Sequence, residues 1–289
     1  MDVLMGLVAA VLWGATDFLV GVNARAVGVK RAVLFGQLLG LLLMTVIVLV
    51  SASQWEKFTS APWRAVGLGI FASLCTVVGA LALSKAFAVG KTAVVAPMVT
   101  SYGIFTTLLA WLGGDALSVW QVVGILVCFF GVLLASRCDE GGGFEWKATS
   151  SVSVGFALLA AMLYGISFWI QGKFALPALG PVNMLALGYA VGVIFLIPET
   201  VKLLQDHATI RLKTFGSLCG ASLFNLGGFS AFSWGALNGS VSVVTVISTL
   251  SGGIAAILGY LFYRERLSSI QIGGVSLVLL GAVLLHIYG

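Results

Sequence analysis

The chain has 289 residues, of which 60% are hydrophobic and 9% are charged, and its formal net charge is +5 at pH 7. A soluble domain of this length needs far more polar surface, so the composition excludes one and indicates an integral membrane protein. The positive excess lies in predicted loops, where it indicates orientation in a lipid bilayer and no nucleic-acid partner.

Ten apolar stretches, each about 20 residues long and without the alternation of barrel strands, predict ten membrane-spanning helices. They cover residues 3–22, 32–51, 65–88, 92–112, 118–136, 152–172, 182–200, 215–237, 241–263 and 269–287. The first stretch has no basic segment before it and no cleavage site after it, so we interpret it as a membrane helix. The predicted fold class is an all-α integral membrane protein.

Residues 79–135 recur, with matched landmarks, roughly 150 residues later at 228–285. The matched pairs include Gly79 with Gly228, Thr100 with Thr249, Gly103 with Gly252, Asp115 with Glu265, Gln121 with Gln271, Gly124 with Gly274, and Gly131 with Gly281. The polar linker 137–151 therefore separates two five-helix repeats, 1–136 and 152–289. Because five is odd, the second repeat enters the membrane from the opposite side, which predicts a 5+5 inverted-topology repeat.

The basic residues predict the orientation. Of the 15 Lys and Arg, 12 fall on one predicted side of the membrane, and only Lys57, Arg64 and Lys173 fall on the other. By the positive-inside rule the rich side is cytoplasmic. We therefore expect a multi-pass protein of a prokaryotic inner membrane with a cytoplasmic linker and both termini in the periplasm.

Helix interruptions and polar side chains near the middle of the spans predict a central solute cavity. Pro97 and Gly103 in the fourth span and Gly252 and Gly253 in the ninth interrupt corresponding helices, as at many carrier sites, although tight helix packing is the alternative. The candidate substrate-binding residues are Trp13, Thr16, Thr100, Tyr102, Tyr164, Ser167, Asn225, Trp234, Ser248, Thr249 and Ser251. Each one alone could instead bond to its own helix or anchor at the interface.

Two charges fall within predicted spans, and such charges are commonly functional. Our hypothesis is that Asp17 and Lys85 form an ion pair that helps to close the cytoplasmic side, with Asp17 able to carry a coupling proton. The alternative is that Lys85 extends to water and Asp17 caps a neighbouring backbone. Asp115 and Glu265 are predicted to cap the helices that begin near Ser118 and Ser268.

An enzyme is the weaker alternative. The two histidines, His207 and His286, are far apart in sequence and the four cysteines lack metal-ligand spacing, so no metal, cofactor or histidine-based triad is predicted. The sequence Gly113-Gly114-Asp115 resembles an intramembrane aspartyl protease motif only superficially, because Leu112 replaces its first glycine. No phosphate-binding loop is present in the sequence.

The Trp13-Gly14 pair resembles the EamA-type carriers of the drug/metabolite transporter superfamily. So do the two segments that begin at Asp115 and Glu265, each with Leu-Ser, Gln and two glycines following. Within that family the chain is most similar to the YddG-type aromatic amino-acid exporters. It departs from the family at Asp115, where glutamate is usual, and at Tyr102-Gly103 and Gly252-Gly253, where proline is common.

The resemblance implies a ten-helix 5+5 carrier with a central cavity, able to act as a monomer. It implies export of amino acids, aromatic ones included, or of similar small amphiphilic metabolites by alternating access. A carrier of sugars or nucleotide sugars is the alternative within the superfamily. The expected partners are a small-molecule substrate, the lipid bilayer and protons.

Overall fold

The computed structural model describes residues 2–114, 116, 118–135, 144–205, 211–237, 247–248, 250–265 and 267–287. None of the described residues lies in a strand. The helices are α1 Asp2–Val27, α2 Val29–Val50, α3 Ala52–Thr59, α4 Trp63–Val89, α5 Thr92–Val99, α6 Tyr102–Leu112, α7 Val119–Ala135, α8 Phe144–Ile170, α9 Leu176–Phe195, α10 Ile197–Gln205, α11 Leu212–Leu237, α12 Ser251–Tyr263 and α13 Ser269–Ile287. The prediction of an all-helical protein is confirmed for this part of the chain.

Five helical segments in the described part of the chain are long and apolar enough to cross a membrane. They are Val3–Val27, Val29–Val50, Trp63–Val89, Thr92–Leu112 and Ser151–Phe195. Shorter apolar helices cover Val119–Ala135, Ser251–Tyr263 and Ser269–Leu284. Large apolar side chains on the outside of the bundle, such as Val50 and Phe262, remain 84% and 69% exposed, as expected for surfaces that contact lipid.

The segment Ser151–Phe195 contains two of the predicted spans, joined through a bend. A π-helical turn over Gln171–Ala175 connects α8 to α9, and Gly180 has φ 75 and ψ 166 inside α9. Pro181 follows and lacks an amide hydrogen, so the helical hydrogen bonds are interrupted there. The predicted start of the seventh span at residue 182 coincides with this bend.

The fourth predicted span, 92–112, is interrupted and consists of two helices, α5 and α6. The hydroxyl groups of Thr100 and Ser101 donate to the carbonyl oxygens of Pro97 and Met98 at 2.6 and 2.7 Å. The same two carbonyl oxygens also accept hydrogen bonds from the backbone amides three residues later, those of Thr100 and Ser101. The backbone therefore tightens at 100–101, one turn beyond Pro97, and α6 begins at Tyr102.

Equivalent helices of the two halves make equivalent contacts. α1 packs along α11, and α8, which holds the position of α1 in the second half, packs along α4. α2 meets its counterpart α9, and α7 meets its counterpart α13. This pattern is expected of two repeats related by a two-fold axis.

The glycines that mark the sequence repeat meet at the contact between α7 and α13. A Cβ atom added to Gly131 would lie 2.6 Å from the Val278 amide nitrogen, and one added to Gly281 would lie 2.6 Å from the Cys128 amide nitrogen. Backbone therefore packs on backbone, which only residues without a side chain allow.

Candidate solute-binding site

A cavity of about 180 Å³ lies between α1, α2, α4, α8, α9 and α11. Its polar lining residues are Thr16, Asp17, Asn23, Gln37, Ser84, Tyr164, Tyr189, Ser222 and Asn225. Val20, Val33, Leu83 and Leu218 supply apolar wall between them. Such a mixture suits a small molecule with both polar and apolar parts.

The cavity extends toward one end of the bundle. Asn23 and Ser84 lie near the ends of α1 and α4, and Leu218 lies near the start of α11. Thr16 and Asn225, near the middle of their helices, form its deeper part. The cavity therefore reaches from the middle of the bundle to the end at which α1 is followed by α2.

Asp17 is the charged residue of this lining. The first span was predicted to end at residue 22, but α1 continues to Val27, so Asp17 lies about 15 Å along the helix from its end. Within the described chain its half-buried carboxylate has no hydrogen bond or ion pair to another residue. Asp17 therefore presents to the cavity a carboxylate that has no partner among the described residues.

The hypothesised ion pair between Asp17 and Lys85 is absent from the structure. Lys85 is exposed and does not line the cavity, whereas its neighbour Ser84 does. Adjacent residues of a helix point about 100° apart, so the lysine is directed away from the cavity when Ser84 faces it. The exposed lysine agrees with the alternative, in which its amine extends to water.

Four of the residues predicted from sequence meet at the cavity: Thr16, Asp17, Tyr164 and Asn225. The Thr16 hydroxyl lies 2.8 Å from the Leu12 carbonyl oxygen and 3.5 Å from that of Ala221, so it ties α1 to α11. The Asn225 amide nitrogen donates to the Tyr189 hydroxyl at 3.4 Å.

The other candidate residues lie outside this cavity. Trp13 packs on Phe229 and Phe232 and donates to the Asn225 carbonyl oxygen at 3.3 Å. The Tyr102 ring lies 5.0 Å from that of Phe168. Ser167 donates to the Ala72 carbonyl oxygen, and the Thr100 hydroxyl is bonded within its own helical turn. Ser248 and Ser251 are buried, whereas Trp234 is exposed. Thr249 lies outside the described residues.

Sequence reasoning missed several residues that line the cavity, above all Asn23, Gln37 and Tyr189. Asn23 fell beyond the predicted end of the first span. Gln37 lies within the predicted second span. Its amide could have marked it as a cavity residue, because an uncharged polar group in an apolar helix needs a hydrogen-bond partner.

The glycines considered as hinges pack closely against neighbouring helices. A Cβ atom on Gly252 would lie 2.8 Å from Thr100 Cγ2 and 3.1 Å from the Ala96 carbonyl oxygen. One on Gly253 would lie 3.3 Å from Leu279 Cδ1. Gly103 and Pro97 are buried in α6 and α5. The two interrupted helices thus meet at Gly252, which agrees with the packing alternative.

Glu265 caps α5 and not the helix that follows it. Its two carboxylate oxygens accept hydrogen bonds from the Thr92 and Ala93 amides at 2.9 and 2.8 Å. The start of α13 is capped instead by Ser268 and Gln271, whose side chains bond to each other's backbone amides, and Ser118 and Gln121 do the same for α7. Asp115, predicted as a cap, lies outside the described residues.

Arg25 also lies beside Glu265, at the end of the bundle to which the cavity extends. Its guanidinium group donates to the Phe87 and Gly90 carbonyl oxygens at 2.7 and 2.9 Å and lies 4.0 Å from the Glu265 carboxylate. The group also stacks 4.5 Å from the centre of the Tyr263 ring. Arg25, Glu265 and Tyr263, here called the Arg25 cluster, connect α1, α4 and α5 to the C-terminal end of α12.

Replacing Glu265 with Gln is expected to destabilise the protein by about 1–3 kcal/mol, because two charge-assisted bonds at a helix N-terminus become weaker. Thermal unfolding of the purified protein in detergent measures the change. Glu56→Gln, the same kind of substitution at an exposed residue of α3, is the matched control. Equal melting temperatures for the two variants would contradict the capping role.

The apolar exterior, the long apolar helices and an internal cavity with polar groups are together typical of a multi-pass membrane protein. The EamA-like transporter family matches residues 1–137 and 152–287. The chain therefore belongs to the EamA-like transporter family, and this membership indicates a membrane transporter of small solutes.

A similar solved structure, described only as the crystal structure of a protein, has a TM-score of 0.65 and 17% sequence identity. The similarity covers 98% of this chain and 95% of the other. At this identity it concerns the fold alone. None of the curated proteins matches the chain.

Proposed function

We propose that the protein is a ten-helix secondary carrier built from two inverted five-helix repeats, residues 1–136 and 152–289, joined by the linker 137–151. Three observations support this architecture: the matched sequence landmarks, the equivalent helix contacts of the two halves, and the glycines shared by α7 and α13. A carrier of this kind exposes one site alternately to the two sides by rocking one repeat against the other.

The observation that supports the solute site is the cavity around Asp17. It combines a carboxylate, three side-chain amides and two tyrosines with apolar wall. Its volume is below the roughly 300–1,000 Å³ of sites for drug-sized ligands, which favours a small metabolite. We propose amino acids, aromatic ones included, or similar small amphiphilic molecules as the substrate class, as in the aromatic amino-acid exporters.

The proposed direction is export. The cavity reaches the end of the bundle that carries Lys30, Arg31 and Arg25, which is the cytoplasmic side under the positive-inside rule. A site loaded from this side and released on the other exports its substrate. Both termini are then periplasmic, and the membrane is the inner membrane of a prokaryote.

The Arg25 cluster supplies a contact between the repeats at this end. Arg25, Phe87 and Thr92 belong to the first repeat, and Tyr263 and Glu265 belong to the second. We propose that these contacts hold α1, α4, α5 and the end of α12 together as the repeats rock. At this end of the bundle, the repeats would then separate at helices other than these.

A nucleotide-sugar carrier is a weaker candidate. Phosphate groups are bound by Arg, Lys and helix N-termini, and none of the described residues that line the cavity is basic.

Counterflow tests the proposed function. Liposomes containing the purified full-length protein are loaded with unlabelled amino acids and amines, and a labelled aromatic amino acid or its decarboxylated amine is offered outside. A carrier accumulates label transiently and saturably by exchange, whereas a channel only equilibrates it. Absence of exchange for every solute offered, with the protein shown to be folded, would contradict a carrier for this substrate class.

A further inference from the structure

The polar lining of the cavity combines one carboxylate, that of Asp17, with amides and hydroxyls that can both donate and accept hydrogen bonds. Asp17 is the one charged residue among the described residues that line it. None of the lining residues that the structure describes carries a positive charge to offset this carboxylate, and Lys85 on the adjacent helix is directed to the exterior. A charge held in an apolar bundle without a partner is unfavourable unless a ligand or a proton neutralises it.

Asn23 provides a second unused acceptor on the same helix. The residue is 2% exposed and lines the cavity, and its amide nitrogen donates to the Ser217 carbonyl oxygen at 3.3 Å. Because a carbonyl oxygen can only accept, this bond fixes the orientation of the Asn23 amide. Its Oδ1 atom is left buried without a hydrogen-bond donor. Buried acceptors rarely remain unpaired, so Oδ1 is expected to meet a donor from outside the described part of the chain.

The described lining of the cavity offers a carboxylate no positive counter-charge. None of the described lining residues is Lys, Arg or His. The α2 residue that lines the cavity closest to that helix's N-terminus is Ala32, and its amide already donates to the Gly28 carbonyl oxygen at 3.0 Å. Two of the lining hydroxyls, those of Thr16 and Ser222, are bonded to backbone carbonyls of their own helices. A substrate carboxylate here would lie near Asp17 without a counter-charge.

We propose that this cavity binds the ammonium group of a small amine at the Asp17 carboxylate and selects against a free carboxylate. This inference rests on the proposed carrier function. Within that substrate class it favours primary amines, and amides and esters of amino acids, over free amino acids. Asn23 lies about 9 Å from Asp17 along α1, toward the end of the bundle. An amine that enters from this end therefore meets Asn23 before Asp17, and the apolar wall at Val20, Leu83 and Leu218 contacts its tail.

Four probes with one phenyl tail and different charges test the inference: phenethylamine, phenylalaninamide, phenylalanine and 3-phenylpropionate. Their binding to the full-length protein in detergent is measured by competition with tritiated phenethylamine. We expect the two cations to bind at least tenfold more tightly than zwitterionic phenylalanine, and the anion to show no measurable competition. Asp17→Asn is expected to weaken phenethylamine binding by tenfold or more, and Asn23→Leu by about threefold. Glu199→Gln, an equivalent change outside the cavity, is expected to leave affinity unchanged.

The inference and the proposed function fail in different ways. Phenylalanine that binds as tightly as phenethylamine, or amine affinity that Asp17→Asn leaves intact, overturns ammonium selection even when counterflow demonstrates a carrier. Absence of binding by both cations overturns it as well. Asp17-dependent amine binding without any counterflow supports the ammonium site and contradicts the carrier function.

Discussion

Replacing Asp17 with Asn is expected to reduce solute exchange in liposomes by about 100-fold. The carboxylate lines the cavity without a partner from the described chain, so its interaction with a bound cation is not shared with a lysine or arginine. Loss of one partner of a buried, hydrogen-bonded charge pair typically costs roughly 2–5 kcal/mol. Asparagine has nearly the same shape, so the effect reports the charge.

The measurement is the initial rate of counterflow, normalised to the amount of folded protein in the liposomes. Glu199→Gln is the matched control, because it also converts a carboxylate to an amide but lies outside the cavity, 3.7 Å from Arg31. If the Asp17→Asn variant exchanges solute at the rate of the control, Asp17 does not bind the substrate. If the pH dependence of exchange is also unchanged, a coupling role for a proton on Asp17 is excluded as well.

Replacing Gly274 with Leu is expected to destabilise the protein by about 3 kcal/mol or more. A Cβ atom at Gly274 would lie 2.8 Å from the Ala135 Cα atom and 2.8 Å from the Gly131 carbonyl oxygen, so a side chain there meets backbone. Backbone cannot turn aside as a flexible side chain can, and α7 and α13 must separate. The two helices make an extensive contact between the halves, so the loss is expected to affect the whole fold.

The adjacent glycine provides the control. A Cβ atom at Gly273 would meet nothing within 4 Å, and the residue is exposed on the outside of α13. Gly273→Leu is therefore expected to be neutral or slightly stabilising, since leucine favours a helix over glycine by several tenths of a kcal/mol. Thermal unfolding and monodispersity in detergent compare the variants, and equal behaviour would contradict close backbone packing at Gly274.

Periodic features of the sequence predicted the broad fold well. The apolar runs indicated helices at nearly every place where the structure has long ones. The repeated glycines indicated a duplication, but only the structure shows that Gly131 meets Gly274 and that Gly124 meets Gly281. The repeat pattern contains no information about which faces of α7 and α13 touch.

The errors arose where distant residues override local signals. The first span was predicted to end at residue 22, yet α1 continues to Val27, and Arg25 in its last turn binds carbonyl oxygens at the end of α4. Glu265 looked like a cap for the helix beside it in sequence, but Gln271 supplies that cap and Glu265 reaches α5. Lys85 was paired with Asp17 on depth alone, and depth does not specify the direction in which a side chain points.

Of the thirteen residues predicted to bind substrate or to couple transport, four lie in the cavity because they face it from α1, α8 and α11. Thr100 and Ser167 have the same depth but bond to backbone carbonyls on other faces of their helices. Sequence depth therefore indicates the layer of the membrane in which a site lies. The rotation of each helix, which packing determines, decides which of its polar residues reach the site.

We propose that one cavity around Asp17 is exposed alternately to the two sides of the membrane, and labelling of a thiol in that cavity can detect this exposure. Ser84, which lines the cavity, is replaced with Cys in a variant whose four native cysteines are serine. A membrane-impermeant thiol reagent is then applied to each side of oriented vesicles. Alternating access predicts labelling from both sides, with phenethylamine slowing both reactions. Labelling from one side only, unaffected by ligand, would contradict the claim.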